Sequence, residues 1–253
     1  MIYMVDYNLY KGKIRNKVLS KKKYVSGVNV DDIFFNNIFS IIDFYLKKKE
    51  RVNILDVGTG TGFVPMKIIS KYNLKINKNI FIDAVDISKD LLYLAQKRDN
   101  LTNYILINNN TKINKKYDLI INRLCPRFSL DKIDTLIKKN GIYIYKEYDN
   151  YRGLKEIFLL FKKKWISREN SFFYYNELDK LNFKYLYLKK YNYKRKYSIK
   201  DIDNILKSTN IVENYSLKDY NLILSNLGLT FFITQDPYIL ISSKCVNFIE
   251  KII

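Results

Sequence analysis

Residues 54–62 read Ile-Leu-Asp-Val-Gly-Thr-Gly-Thr-Gly, an apolar run that ends on an acid and opens into three alternating glycines. Glycines at such a junction let a ligand approach the main chain closely, and amides at the start of a following helix receive negative charge or a carboxylate. Spacing selects the ligand. Dinucleotide folds use Gly-x-Gly-x-x-Gly with the third glycine inside the helix. Here Gly58, Gly60 and Gly62 stand at Gly-x-Gly-x-Gly behind Asp56. A second acid, Asp86, ends another apolar run. A third segment, Asn122-Arg123-Leu124-Cys125-Pro126-Arg127-Phe128, follows a further apolar run. Open α/β sheets bind ligands at the carboxyl ends of their strands, so this third segment is expected to face the bound ligand.

What else the chain offers for chemistry is limited by composition. There is no His, so any proton transfer falls to Asp, Glu, Tyr, Lys or water. Cys125 and Cys245 alone build neither a disulfide scaffold nor a zinc set, which points to a reduced, cytoplasmic setting without a metal. The 20 N-terminal residues hold no apolar run suited to a signal peptide or a membrane span. A net charge of +20 ordinarily suggests an anionic partner such as nucleic acid. The excess is mostly Lys, accompanied by Asn, Ile and Tyr along the whole chain, as an AT-rich coding sequence also produces. Charge therefore does not choose the substrate.

The elements that must position these residues are legible from periodicity. Apolar residues at helical spacing from Asp31 to Lys47 predict a helix with Asp31 capping its start. Val52–Val57 reads as a strand running into the glycine loop, and Phe63–Tyr72 as the helix behind it, with Met66, Ile68 and Ile69 inward. Ile80–Asp86 is a second strand, Ser88–Arg98 a helix capped by Ser88, and Tyr104–Ile107 a third strand. Tyr117–Ile121 is apolar throughout, as a strand buried on both faces should be. Leu130–Lys138 reads as a helix broken by Asn140-Gly141, before a strand at Ile142–Tyr148. Beyond it come a helix at Leu154–Lys164, an irregular Tyr/Phe-rich stretch at 172–175, strands at Phe183–Leu188 and Tyr238–Ser242, and helices at Ile199–Lys207 and Leu217–Leu227.

This alternation predicts an α/β fold: a doubly wound, mostly parallel, seven-stranded Rossmann-like sheet with an N-terminal helical extension and C-terminal helical insertions. Residues 1–50 are expected to form the extension or lid, 51–150 the binding core, and 151–253 a half that completes the sheet and the acceptor pocket.

The glycine loop, its preceding Asp56 and the later Asp86 resemble the first motifs of the class I S-adenosylmethionine-dependent methyltransferases, over roughly residues 50–150. The resemblance implies that the loop cradles the methionine part of the cofactor. It also implies that Asp86 bonds the ribose hydroxyls and that Asn109 contacts the adenine. The cofactor-binding set on that reading is Asp56, Gly58, Thr59, Gly60, Gly62, Asp86, Ile87, Asn109 and Asn122. Many methyltransferases of amino nitrogens carry Asn-Pro-Pro-Tyr/Phe after the fourth strand. Asn122, Pro126 and Phe128 echo that pattern at a different spacing, which makes Asn122 and Arg123 the catalytic candidates. Asp31, Asp32 and Glu147 are further candidates for a base.

The expected reaction transfers a methyl group from S-adenosylmethionine, leaving S-adenosylhomocysteine, to a small-molecule or peptide acceptor, most plausibly at nitrogen. An RNA base methyltransferase and a non-catalytic nucleotide- or RNA-binding protein are the alternatives. The basic residues are dispersed and no recognised RNA-binding module is appended.

Overall fold

A computed structural model describes residues 29–74, 78–108, 111–125, 128–167 and 169–245. The chain divides into two compact units. The larger comprises Val30–Glu147, Ser171–Lys190 and the described residues from Tyr238; the smaller includes Tyr148–Asn170 and Tyr191–Pro237.

In the larger unit, helix α1 (Val30–Leu46) precedes β1 (Val52–Val57), α2 (Phe63–Tyr72), β2 (Ile80–Asp86), α3 (Lys89–Gln96) and β3 (Asn103–Leu106). They are followed by β4 (Tyr117–Arg123), α4 (Leu130–Leu136) and β5 (Ile137–Tyr148). Later segments add α6 (Ser171–Lys180), β6 (Tyr185–Lys190) and β9 (Pro237–Ser243). The sheet has seven strands in the order β3-β2-β1-β4-β5-β9-β6. Strands β1 to β5 pair in parallel, and β6 pairs with β9 antiparallel. The expected doubly wound, mostly parallel sheet is therefore present. Its order reverses beside β1, the place where such sheets bind ligands.

The strands are apolar because both faces are covered: Ile54, Leu55, Ile120, Ile121, Ile142 and Ile144 are fully buried. Helix α1 lays Phe34, Ile38, Ile41, Ile42 and Tyr45 into the core. The Tyr45 hydroxyl donates to the carbonyls of Asp118 and Asn140, at 2.9 and 2.7 Å. Asp118, itself buried, accepts from Asn53 N and pairs with Lys49 and Lys138. Ser88 caps α3 as expected, accepting from Leu91 N.

Three local expectations are corrected. Helix α4 ends at Leu136, and the chain enters β5 at Ile137, ahead of Asn140-Gly141. The register jumps there, from Tyr117 opposite Ile137 to Leu119 opposite Ile142. Gly141 lies in that bulge, where a Cβ would come within 2.6 Å of Ile137 and 3.0 Å of two carbonyl oxygens. Residues 172–175 are not irregular but helical, within α6, which buries Tyr174 and Leu178. In α2 the most deeply buried residues are Val64, Pro65 and Ile68, with Met66 and Ile69 only half-buried.

The smaller unit holds α5 (Lys155–Leu160), β7 (Tyr193–Ser198), α7 (Ile199–Ser208), α8 (Leu217–Leu227) and β8 (Thr230–Gln235). Helices α7 and α8 lie where periodicity put them, but β7 and β8 were not foreseen; they pair as an antiparallel ribbon outside the main sheet. Ile157, Ile202, Ile205 and Ile233 form its core, and a Ser198–Asp201 capping box starts α7.

Candidate functional site

The chain turns sharply after β1. Gly58, Gly60 and Gly62 all have positive φ, at 66°, 58° and 76°. Side chains at such angles cost about 1–2 kcal/mol each, which explains the glycines. Gly58 N and Thr59 N both donate to Val85 O of β2, at 2.9 and 3.0 Å, fastening the loop to the neighbouring strand. Space is a second constraint. A Cβ on Gly58 would stand 2.4 Å from the Cys125 side chain, and one on Gly62 would stand 2.6 Å from the Tyr104 hydroxyl. A Cβ on Gly60 would meet nothing within 4 Å, so the loop is open at its middle glycine alone of the three.

Two carboxylates flank the loop. Asp86, at the end of β2, accepts from Gly60 N at 2.8 Å and from Ser88 N at 2.9 Å. Burial raises its pKa, against the opposing pull of these amides. Asp56 is 1% exposed, and its Oδ2 has no hydrogen-bond partner among the described residues; Thr59 Oγ1 beside it is likewise unpaired. Burial pushes the Asp56 carboxyl up to about 7, the nearby Thr59 and Arg123 pull it down, and Asp86 adds to the rise. An acid buried without a partner is costly, and functional sites are where such groups collect. Ile87 and Phe63 expose apolar surface, one just after Asp86 and the other just after Gly62. Asn109 lies outside the described residues.

The segment after β4 turns back on itself. The Asn122 amide is buried and used: Nδ2 donates to Cys125 O at 2.9 Å and to the Tyr143 hydroxyl at 3.3 Å, while Oδ1 accepts from Cys125 N at 3.2 Å. Leu124, at φ 61°, completes the turn. Asn122 thus holds Cys125 against Gly58, and its amide is already spent on this turn. Pro126 and Arg127 lie outside the described residues.

Arg123, on the opposite face of β4, donates from Nε and Nη2 to Asp31 in the first turn of α1, at 3.1–3.2 Å. Its guanidinium lies 4.9 Å from the centre of the Phe63 ring, the residue after Gly62. Lys146 of β5, almost fully buried, also pairs with Asp31. Burial alone would raise the Asp31 pKa, but Lys146 and Arg123 outweigh it and hold the acid well below the carboxylate range. Asp31 is therefore neither the helix cap nor a suitable base; it is the counter-ion of two cations. Asp32 is exposed, and Glu147 is buried at the end of β5. Lys146 was missed by sequence reading, although a lone cation in an apolar strand is a visible signal. Among the described residues no group of three His, Cys, Asp or Glu could hold a metal ion. No described helix is long and apolar enough to cross a membrane.

Comparison with known proteins gives the same outline. No family model matches the chain. A malonyl-[acyl-carrier protein] O-methyltransferase of Acetivibrio thermocellus is 25% identical over 136 residues, covering 50% of this chain and 46% of that protein. The chain thus matches less than half the length of this curated relative. Among solved structures, a putative sarcosine dimethylglycine methyltransferase of Galdieria sulphuraria aligns with a TM-score of 0.52, at 11% identity, over 92% of this chain and 98% of that one. A phosphoethanolamine N-methyltransferase of Haemonchus contortus, in complex with S-adenosylhomocysteine, aligns at 0.50, at 15% identity, over 83% and 53%. At these identities the structural likeness speaks to the fold. The strand order, the Gly-x-Gly-x-Gly turn and the two acids at the ends of β1 and β2 are features in which this chain resembles the class I S-adenosylmethionine-dependent methyltransferases.

Proposed function

We propose that the chain binds S-adenosylmethionine at the β1–α2 loop and transfers its methyl group to a small-molecule or peptide acceptor, with nitrogen as the first acceptor atom to test. The observation that carries the reading is the loop itself: an open middle glycine between a buried Asp56 whose Oδ2 has no donor among the described residues and an Asp86 whose carboxylate already organises the loop amides. These residues fit the cofactor. The opening at Gly60 admits a close approach to the main chain, and Asp56 Oδ2 lacks the donor that an α-ammonium would bring. Asp86, Thr59 and Ile87 would border the adenosine part, and Asn109 is proposed at the adenine.

The cofactor supplies a methyl group on a positive sulfur, open to in-line displacement. The protein's part is positioning, exclusion of water and, for an ammonium acceptor, removal of one proton. Glu147 is the carboxylate proposed for that proton, because Asp31 is tied into its ion pairs. Asn122 is assigned a positioning role through Cys125 and Gly58.

Two measurements test the reading. Titration calorimetry with S-adenosylhomocysteine should give micromolar or tighter binding, and absence of binding rejects the function. Methyl-labelled cofactor, offered with amines and with acyl-thioester acids, should label an amine product that survives mild base. Labelling only of base-labile esters would move the acceptor to oxygen, as in the name of the curated relative.

A further inference from the structure

The parallel strands β2, β1, β4 and β5 lie side by side, so their amino ends share the edge of the sheet away from the glycine loop. Cations dispersed along the sequence are gathered there. Asp118 shows how closely: its buried carboxylate accepts from Asn53 N of β1 at 2.8 Å and pairs with Lys49 and with Lys138 of β5, at 2.5 and 2.9 Å. Around it five exposed cations have no carboxylate partner among the described residues. They are Lys47 and Arg51 ahead of β1, Lys78 ahead of β2, Lys116 ahead of β4 and Lys139 in β5. The exposed acids in the same stretch are Asp43 and Glu50. The Arg51 guanidinium lies 3.8 Å from the centre of the Phe81 ring, and its Nε donates to Asn53 Oδ1 at 3.3 Å. Ring and amide together fix its plane.

The carboxyl edge has the other character. It carries Asp56, Asp86 and Glu147, and its cations Arg123 and Lys146 are tied to Asp31. A lysine excess set by composition alone would charge both edges alike. Strands lie about 5 Å apart, so the four amino ends make a row about 15 Å long. Phosphates along a nucleic-acid strand repeat on a similar scale, about 3.4 Å of rise each in a duplex. A protein partner calls for an apolar centre, where Lys is depleted, and a membrane surface calls for an apolar face. Among the described residues at these strand ends the exposed large apolar side chain is Phe81, and Arg51 covers it. Phosphate binding needs only the cations.

We propose that the amino edge of the sheet docks nucleic acid through its phosphodiester backbone. Lys47, Lys78, Lys116 and Lys139 neutralise phosphates as point charges, and Arg51, held flat on Phe81, offers its fork of N–H groups to one. Strand β1 has six residues, which sets this row about 20 Å from the glycine loop. Nucleic acid and cofactor therefore bind together. The surface is independent of the cofactor assignment.

The test is fluorescence anisotropy of the full chain with a labelled RNA of about 20 nucleotides and a DNA of the same sequence, over a range of salt concentrations. The parent should bind one or both with a Kd of about 10 µM or tighter at about 50 mM salt, and log affinity should fall linearly with log salt. Changing Arg51→Gln, Lys78→Gln, Lys116→Gln and Lys139→Gln together should weaken binding more than about 30-fold and remove about 3 units of the salt slope, since each phosphate contact contributes about 0.7–0.9. A control with the same charge change in α2, α3 and the β3–β4 connection, Lys67→Gln, Lys89→Gln, Lys97→Gln and Lys112→Gln, should lose less than about threefold. Saturating S-adenosylhomocysteine should leave nucleic-acid affinity unchanged.

Equal losses in the two variants would mean that net charge alone attracts the probe, and the surface would be rejected. Displacement of nucleic acid by S-adenosylhomocysteine would put it on the carboxyl edge and reject the surface as well. No binding of RNA or DNA by the parent would overturn the proposal, and so would binding only of vesicles that contain an anionic lipid. Melting curves identify a variant that does not fold. In its place the Lys78→Gln, Lys139→Gln pair should lose about half as much of the salt slope, and no loss there rejects the surface.

Discussion

Replacing Asp56 by Asn gives a pH signature whose size follows from burial. The Asp56 carboxyl moves from its ordinary 3.8 to about 7 in the folded chain because it is 1% exposed and its Oδ2 lacks a donor. Because the folded-state pKa is the higher one, the native state holds a proton that the unfolded chain releases between about pH 4 and 7. Stability from this group is therefore fully present below about pH 4 and is lost as pH rises to about 7. Three units at about 1.4 kcal/mol each make the loss on the order of 4 kcal/mol. Asn keeps the size of the side chain and cannot ionise, so this term disappears. Denaturant unfolding of both proteins at half-unit steps from about pH 4 to 8.5, each in the absence of ligand, isolates it, since titrations not coupled to Asp56 cancel in the difference. The Asp56→Asn protein should gain on the parent steadily up to about pH 7 and then hold a constant advantage. Parallel curves across this range would refute the claim that the Asp56 carboxyl is buried with its Oδ2 lacking a donor.

Other outcomes follow from the same geometry. Gly58→Ala sets a Cβ 2.4 Å from Cys125 at a positive φ, and should cost about 3 kcal/mol in chemical denaturation. Gly60→Ala meets nothing within 4 Å and should cost only about 1 kcal/mol, yet it should weaken S-adenosylhomocysteine more than about tenfold in calorimetry, because the new methyl occupies the proposed approach. Asp118→Ala strands the Asn53 amide and removes the partner of Lys49 and Lys138, a loss of about 2–4 kcal/mol by thermal melting. Its carboxyl is held below the ordinary value despite burial, by the Asn53 amide and the two lysines, so its contribution should be present above about pH 4 and fade only in stronger acid. Glu147→Gln should lower turnover more than about fivefold while leaving S-adenosylhomocysteine affinity unchanged; a smaller effect on turnover removes Glu147 as the base.

Sequence alone determined what is local or periodic. Strands Val52–Val57 and Ile80–Asp86 fall on the predicted residues, because an unbroken apolar run bounded by glycine or a cap has few other ways to bury itself. The glycine turn was legible for a similar reason: three positive φ angles in five residues leave little choice of residue type. Tertiary structure decided the partners. Nothing local assigns Asp31 to Arg123 and Lys146, which lie 92 and 115 residues away, and at the head of a helix it reads as a cap. Asn122 stood out by type, but only the fold shows its partners, Cys125 three residues on and the Tyr143 hydroxyl of β5, in a loop pressed onto Gly58. Residues 172–175 lacked a clear period because aromatic side chains are compatible with either environment; burial of Tyr174 and Leu178 made them helical. Periodicity records which face a residue turns to the core. It does not record which residue waits there, and the chemistry of Asp56 and Arg123 depends on that meeting.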